Sequence, residues 1–371
     1  MPKYRLHVVS FDVPFPPSYG GVIDVFYKLK ALHEAGVQIT LHCFQYGRER
    51  ATELEKYCVE VNYYPRKTSL LQLLSAEPFI VNSRRSDSLL KALAATDDPI
   101  LFEGLHCCAY VAHPLLAKKK KIVRTHNIEH DYYRALERVE KKWSRRLYFR
   151  REARKLEKFE HVLEYAQHVL AISPADAHDL STRYKNVEHV MAFHANDSVK
   201  CKEGIGEFAL YHGNLEVGEN NQAALFLVNE VFRSLYYSLV IAGNSPSSEL
   251  RAAASAAKNV SIKSNISTAE IDRLIETAHI NVLPTFQATG IKLKLLEALF
   301  KGRHCLVNAP MVADTGLGKL CVIREDASSM RSEIQNLASI PFSVGQIEQR
   351  KEVLGERFSN KMNAEKVLKL L

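Results

Sequence analysis

Apolar strand patterns alternate with helical patterns along this chain, and the alternation restricts the folds that it can adopt. Residues 6–11 are predicted to form a strand, residues 22–35 a helix and residues 37–44 a second strand. Gly36 stands where the helix would end, which suits a left-handed C-cap. This succession is typical of a mostly parallel sheet covered by helices, so we expect an α/β fold.

The alternation continues in two series. The remaining strands are predicted at residues 100–103, 121–124 and 169–172 in the first series, and at residues 208–212, 237–242, 260–262, 280–283 and 304–308 in the second. One long helix is predicted over residues 131–166, with its apolar face formed by Trp143, Leu147, Leu156, Phe159, Leu163 and Ala166.

The length of 371 residues is enough for two domains of about 150 to 200 residues each. We predict a first domain over residues 1–190, a linker over residues 191–206 and a second domain over residues 207–345. Residues 346–371 are predicted to form C-terminal helices, whose apolar stripe must pack against one of the domains.

The composition is that of a globular protein, with 46% hydrophobic and 25% charged residues. Apolar runs fall short of the ~20 residues that span a bilayer, and the N-terminus leads directly into a strand, so we expect a cytoplasmic protein. Its seven cysteines form no C-x-x-C pair and are expected to be reduced core residues. Neither half contains G-x-G-x-x-G, which argues against NAD-dependent chemistry.

A net charge of +8 favours an anionic partner without identifying it. Four consecutive lysines, residues 118–121, could contact anionic lipid or nucleic acid. The interpretation we prefer is a solvated helix end before a strand. Nucleic acid is not expected as a partner, and peripheral contact with the inner face of an anionic membrane is left open.

Residues 280–299, INVLPTFQATGIKLKLLEAL, favour a strand, a glycine-bearing loop and a helix that begins with cations. At a helix start the backbone N–H groups are unpaired, so Gly290, Lys292 and Lys294 could hold a phosphate group. Glu297 lies about one turn further on, where its carboxylate could accept hydrogen bonds from sugar hydroxyls. The alternative is an ordinary buried strand followed by an amphipathic helix.

The sequence TGIKLKLLEAL, residues 289–299, resembles the donor-binding segment of the retaining GT-B glycosyltransferases of family four. Most members carry two glutamates separated by seven residues. The second matches Glu297, whereas Thr289 stands where the first is expected. The resemblance therefore assigns donor binding to the loop and helix start, namely Thr289, Gly290, Ile291, Lys292, Lys294 and Glu297.

Further segments match the same family in order. Gly20 and Gly21 follow the first strand, where glycines allow close approach of a ligand and a helix start favours an anion. Gly213 and Asn214 follow the first strand of the second domain, although many members carry an arginine at the position of Asn214. Gly243 follows the next strand, and all five are candidates for donor binding.

His126 is the principal catalytic candidate, and Glu129 accompanies it in the segment VRTHNIEHDYY. A histidine after a strand end can position a hydroxyl, and a nearby carboxylate can fix its tautomer. The alternative is that His126 and Asn127 satisfy backbone groups at a helix start. The H-N-x-E pattern at a strand end resembles the active-site segment of the family. His106 is a weaker candidate.

The resemblance implies a GT-B fold, with two Rossmann-like, doubly wound domains facing a central cleft and a terminal helix that crosses back to the first. It also implies retaining transfer of a hexosyl group from a nucleotide sugar to an unidentified acceptor, glycan or lipid-linked, in polysaccharide biosynthesis. No Asp-x-Asp occurs, so we expect neither a metal nor another cofactor. The alternatives are a non-catalytic nucleotide-sugar-binding subunit and a nucleotide-sugar epimerase or hydrolase.

Overall fold

The computed structural model describes residues 4–69, 72–73, 75–286 and 293–371. These form two compact units. Unit 1 comprises the chain up to Ala195 together with Phe358–Leu371, and unit 2 comprises Asn196–Arg357.

Unit 1 contains a seven-stranded parallel sheet with the strand order β3-β2-β1-β4-β5-β6-β7. Its strands are β1 (Tyr4–Ser10), β2 (Val37–Gln45), β3 (Glu60–Pro65), β4 (Ile100–Glu103), β5 (Lys121–Thr125), β6 (His168–Ala171) and β7 (Val187–His189). In the central register Val8 pairs with Leu41 on one side and Leu101 on the other. The strand order reverses direction between β1 and β4, which is where doubly wound sheets bind ligands.

The helices of unit 1 before the boundary are α1 (Gly20–Glu34), α2 (Phe79–Asn82), α3 (Asp87–Ala94), α4 (Glu129–Val139), α5 (Trp143–Phe159) and α6 (Pro174–Ser181). As predicted, α1 ends before a glycine in the left-handed region, because Gly36 has a φ of 86°.

The single long helix predicted over residues 131–166 is wrong. The chain is extended at Glu140 and Lys142, so α4 and α5 are separate helices that pack closely together. Their apolar faces meet each other, with the rings of Tyr133 and Phe149 5.9 Å apart. Trp143 and Leu147, which were assigned to the apolar face, are exposed because they precede the part of α5 that packs.

Unit 2 contains a six-stranded parallel sheet with the strand order β10-β9-β8-β11-β12-β13. Its strands are β8 (Ala209–His212), β9 (Leu239–Ala242), β10 (Val260–Lys263), β11 (Ile280–Val282), β12 (His304–Val307) and β13 (Val322–Ile323). Its helices are α7 (Gly218–Phe226), α8 (Ser248–Ser255), α9 (Thr268–Thr277), α10 (Leu293–Lys301), α11 (Ala309–Val312), α12 (Ala327–Leu337) and α13 (Val344–Arg357). The order again reverses beside the first strand, between β8 and β11, so both units are doubly wound.

The last helix, α14 (Asn360–Leu368), packs against α1 of unit 1. Ala364, Val367 and Leu370 are buried in the core of that unit. The prediction that the terminal helix returns to the first domain is therefore confirmed.

The lysine run is less exposed than predicted, because the Lys119 and Lys121 side chains are buried. The Lys121 Nζ donates to the Val111 carbonyl at 3.0 Å, and the Lys120 Nζ donates to the Leu371 carbonyl at 2.9 Å. All seven cysteines lie in the described ranges and are free thiols. Within those same ranges, no helix combines the length and the apolar character needed to cross a membrane.

Candidate functional site

Unit 1 places its chemically active side chains at the carboxyl edge of its sheet. Glu103 is the last residue of β4, His126 directly follows β5, and Asp24 projects from α1, the helix after β1. Because β1, β4 and β5 are adjacent and parallel, their ends bring these three residues together at the switch point of the strand order.

Four fully buried charges form an ion network beneath this edge. The Arg124 guanidinium donates to both carboxylate oxygens of Asp24, at 2.8 and 2.9 Å. The Lys28 Nζ donates to Asp24 at 2.8 Å and to Glu103 at 2.9 Å. Burial alone would raise the pKa of Asp24, but the charges of Arg124 and Lys28 outweigh it and hold that pKa well below its ordinary value.

None of these four residues was among the predicted site residues. Asp24 and Lys28 lie four residues apart on the buried, otherwise apolar face of α1, and Glu103 and Arg124 belong to buried strands. A charged residue inside an apolar run signals a buried partner, because burying an unpaired charge is costly. The sequence carries this signal but not the identity of the partners.

Glu103 positions the imidazole of His126. The His126 Nε2 lies 3.1 Å from Glu103 Oε2. The Phe11 ring packs edge-on against the imidazole, with centroids 5.4 Å apart. Burial would raise the pKa of Glu103, but the Lys28 charge and the His126 hydrogen bond lower it, so the carboxylate is ionised. His126 therefore carries a proton on Nε2 and, when neutral, has an acceptor lone pair on Nδ1.

Glu129 contacts a different histidine. It begins α4, and its Oε1 lies 3.8 Å from the Nδ1 of His106. Among the described residues, neither of these two buried atoms has a hydrogen-bond partner. Burial raises the pKa of Glu129 to about 7, although an Asn127 hydrogen bond opposes it. Burial also lowers the pKa of His106 well below its ordinary value. The role of orienting His126, considered for Glu129, is thus taken by Glu103.

Three side chains at this edge of the sheet could each offer one ligand atom to a metal ion. One ligand atom each from Asp24, Glu103 and His126 lies within 4.8 Å of the others. However, the Arg124 guanidinium and the Lys28 ammonium already contact these carboxylates. A divalent cation would have to displace them, so the donor set fits an ion network better than a metal.

The predicted Gly20-Gly21 loop opens α1. Tyr19 is extended before the helix, and its side chain makes no capping hydrogen bond to the helix start. A Cβ on Gly21 would lie 2.7 Å from the Phe11 ring, whereas Gly20 faces open space. A side chain at Gly21 would therefore force the Phe11 ring to move, and Gly20 leaves the helix start accessible to an anion.

In unit 2, the predicted glycines bring the ends of β8 and β9 together. A Cβ on Gly243 would lie 1.9 Å from the Gly213 carbonyl oxygen, so only glycine fits. Asn214 accepts from the Glu216 N–H at 3.2 Å, and the Asn214 carbonyl accepts from the Asn220 side chain at 2.9 Å. Asn214 thus stabilises the loop that follows β8.

The helix α10 places a cation and a carboxylate beside this loop. The Lys294 Nζ donates to Asn220 Oδ1 at 2.8 Å and lies 5.1 Å from the centre of the Tyr211 ring. Glu297, one turn on, lies 4.0 Å from the Nδ1 of His212. Burial raises the pKa of Glu297 and lowers the pKa of His212 to about 3, so this imidazole is neutral.

The remaining donor-binding candidates, Thr289, Gly290, Ile291 and Lys292, lie outside the described residues. Lys294 and Glu297 are therefore the two predicted residues of that segment whose surroundings the structure describes.

No family model matches the chain. An uncharacterized 44.6 kDa protein in the cps region of Klebsiella pneumoniae is 25% identical over 318 residues, covering 80% of each protein. The S. aureus TarM structure with UDP and alpha-GlcNAc-glycerol has a TM-score of 0.63 at 11% identity, covering 100% of this chain and 99% of the other. Anabaena HepE with UDP and glucose has a TM-score of 0.63 at 10% identity, covering 99% and 98%. The chain has the GT-B fold, as predicted.

The close approach at Gly243 gives a stability prediction. Gly243→Ala should lower the free energy of unfolding by roughly 2 to 3 kcal/mol, because the new methyl group overlaps a backbone carbonyl. Gly355→Ala, in α13 of the same unit with open space around it, should raise stability by about 0.5 to 1 kcal/mol. Urea unfolding of both variants tests this, and equal stabilities would contradict the packing described.

The raised pKa of Glu129 gives a pH prediction. The unfolded chain releases this proton near the ordinary pKa of 4.5, but the folded chain releases it only near 7. The folded state binds more protons between these values, so the burial of Glu129 destabilises the fold as pH rises through that window. Glu129→Gln should therefore gain stability over the wild type between pH 5 and pH 8, by up to about 3 kcal/mol.

Glu157→Gln is the matched control on α5. A hydrogen bond from Arg134 lowers the pKa of Glu157, so its contribution is constant between pH 5 and pH 8. Urea unfolding at both pH values measures each difference. If the difference in the free energy of unfolding between Glu129→Gln and the wild type does not change with pH, as expected for the control, Glu129 has an ordinary pKa.

Proposed function

We propose that this protein is a glycosyltransferase that moves a hexosyl group from a nucleotide sugar to an acceptor, with retention at the anomeric carbon and without a metal. Unit 2 binds the donor. The proposal includes a cytoplasmic location, where nucleotide sugars would be available to it.

The observation that carries the proposal is the placement of Lys294 and Glu297 on one face of α10. The Lys294 ammonium lies at the end of β8, and the Glu297 carboxylate faces the neighbouring His212. Both are at the switch point of the unit 2 sheet, where doubly wound folds bind nucleotides. A cation at this position suits a diphosphate, and a carboxylate suits ribose hydroxyls.

The positions of the charged groups suggest how the leaving diphosphate is stabilised. When the bond from the anomeric carbon to the diphosphate breaks, negative charge develops on the leaving oxygen. Lys294 and the unpaired N–H groups of a helix start can stabilise that charge in place of a metal. In the front-face mechanism that we favour, the donor phosphate accepts the proton of the acceptor hydroxyl.

His126 has a positioning role in this scheme. Because Glu103 accepts the Nε2 proton, the Nδ1 can accept a hydrogen bond from a hydroxyl of a substrate. Glu129 and His106 offer a second pair of polar atoms nearby on the same edge of unit 1. We propose that this pair also contacts a hydroxyl group of a substrate.

The Klebsiella pneumoniae relative from the cps region supports a role in polysaccharide biosynthesis. TarM and HepE, which share the fold, were both observed with UDP. A uridine nucleotide is therefore the first donor to test.

A second candidate is a nucleotide-sugar-binding subunit without catalytic activity. One observation favours it. Asn214 forms hydrogen bonds within the loop after β8, at a position where many members of the family that this chain resembles have an arginine. Such a protein would bind the same donors but transfer nothing.

A transfer assay separates these functions. Purified protein is incubated with individual nucleotide sugars and a cell-extract acceptor fraction, and nucleoside diphosphate release is measured. Lys294→Ala and Glu297→Gln should each lower the rate by about 100-fold, because each removes a charged contact to the leaving group or ribose. Lys258→Ala and Glu249→Gln, exposed residues elsewhere in unit 2, should stay within about twofold.

The outcomes of this assay are distinct. Activity that persists in EDTA would support the metal-free mechanism. A product with the anomeric configuration of the donor, determined by NMR, would support retention. A strict requirement for a divalent ion would contradict the metal-free mechanism. Release without an acceptor-bound sugar would indicate a hydrolase, and binding without turnover would indicate the non-catalytic subunit.

A further inference from the structure

The end of the turn between α4 and α5, together with the first residues of α5, exposes a continuous basic and apolar segment, residues 141–147, which we call the tip. Every residue of the tip is exposed. It comprises two lysines, two arginines, one serine and two large apolar residues, and no acid. Packing against α4 begins only beyond the tip, with Tyr148 and Phe149. The tip is therefore a surface that the fold itself leaves uncovered.

The apolar residues at this position are unusually exposed. Trp143, the only tryptophan of the chain, is 79% exposed, and Leu147 is 47% exposed. Val139, at the end of α4, is 61% exposed. Large apolar side chains grouped on a surface mark an interaction site more often than isolated ones do.

The positive charge of the protein is concentrated on the tip and the rest of α5. Residues 141–158 contain nine lysines or arginines and two glutamates, a net charge of +7, whereas the whole chain carries +8. Arg145 lies 3.5 Å from Glu140, whereas no ion pair in the part of the chain that the structure describes involves Lys141, Lys142 or Arg146. The lysine run 118–121 cannot provide an equivalent surface, because Lys119 and Lys121 are buried.

We propose that the tip docks unit 1 onto the surface of an anionic lipid bilayer. Its lysines and arginines would face the lipid phosphates, while Trp143 and Leu147 enter the interface between headgroups and acyl chains. Tryptophan prefers this interface because its ring is amphipathic. Nucleic acid would match the cations, but it offers no apolar medium for Leu147 and Val139, so the bilayer fits the whole surface better.

The single tryptophan allows a direct test with the full-length protein. Trp143 fluorescence is recorded while vesicles of phosphatidylcholine, with or without phosphatidylglycerol, are added. Only the anionic vesicles should shift the emission to shorter wavelengths and protect it from iodide quenching. Sedimentation with the same vesicles should show partition that weakens as salt increases.

Two double variants identify the contacts. Lys142→Glu with Arg146→Glu should weaken partition by about tenfold or more. These acidic residues lie at the start of α5, where they favour the helix, so the loss would not reflect unfolding. Trp143→Ser with Leu147→Ser should also weaken partition, measured by sedimentation.

The control variants change the net charge, or remove an exposed aromatic ring, at positions in unit 2. Arg233→Glu with Arg251→Glu alters the net charge equally at exposed positions of unit 2, and Tyr236→Ser removes another exposed aromatic ring. Both should bind vesicles like the wild type. The proposal fails if the wild type ignores anionic vesicles, or if the charge control loses as much binding as the tip variant. It also fails if the tip binds a DNA oligonucleotide but no vesicles. None of these results depends on transferase activity.

Discussion

The ion network around Asp24 is the interaction on which the arrangement of unit 1 depends. Two buried carboxylates, Asp24 and Glu103, face two buried cations, Lys28 and Arg124, so the group is neutral as a whole. Removing any one member would leave an unpaired buried charge, at a cost of about 3 to 5 kcal/mol. Such a network constrains every element that contributes to it.

Those elements include the candidate site and the end of the unit. Asp24 lies one turn beyond Gly20 on α1, and Glu103 orients His126. Asp24 also accepts from the Phe193 N–H at 2.8 Å, and Arg124 donates to the carbonyls of Val190 and Met191, each at 2.9 Å. The glycine loop, the histidine and the chain leaving unit 1 are therefore linked through one buried group of charges.

The chain returns to unit 1 beside the point where it leaves. The Asn360 side chain accepts from the His194 N–H at 3.1 Å and donates to the His194 carbonyl at 2.7 Å. The His194 Nε2 also contacts the Phe358 carbonyl at 2.8 Å. These bonds explain why α14 belongs to unit 1 although the 162 residues of unit 2 precede it.

The sequence predicted the central strands well because they are buried on both faces and read as continuous apolar runs. It missed β3 and β7, which are partly exposed and carry polar residues, and β13, which has only two residues. It also joined α4 to α5, because nothing between residues 139 and 143 is a glycine or a proline. Such a break is decided by packing between the two helices, which local propensity does not record.

The residues of the candidate site also fall into two groups, those that the sequence indicated and those that it did not. His126, Glu129, Lys294, Glu297 and the glycines could be proposed from the sequence because they follow strands or lie near helix starts, in segments that resemble a known family. Asp24 and Lys28 are four residues apart, but the contacts that join them to Glu103 and Arg124 span 75 and 100 positions, and for this reason the network was missed. Local spacing cannot show such contacts, and the pairing becomes visible only when the strand order is known.

The binding of nucleoside diphosphates, measured by isothermal titration calorimetry, tests the proposed donor site most directly. At least one of UDP, GDP and ADP should bind with a Kd between about 1 µM and 1 mM. Lys294→Ala should weaken that binding by about tenfold or more, because it removes one charged contact to the diphosphate. His126→Ala should leave it unchanged. Undetectable binding of all three diphosphates, or equal binding by Lys294→Ala, would contradict a donor site at the start of α10.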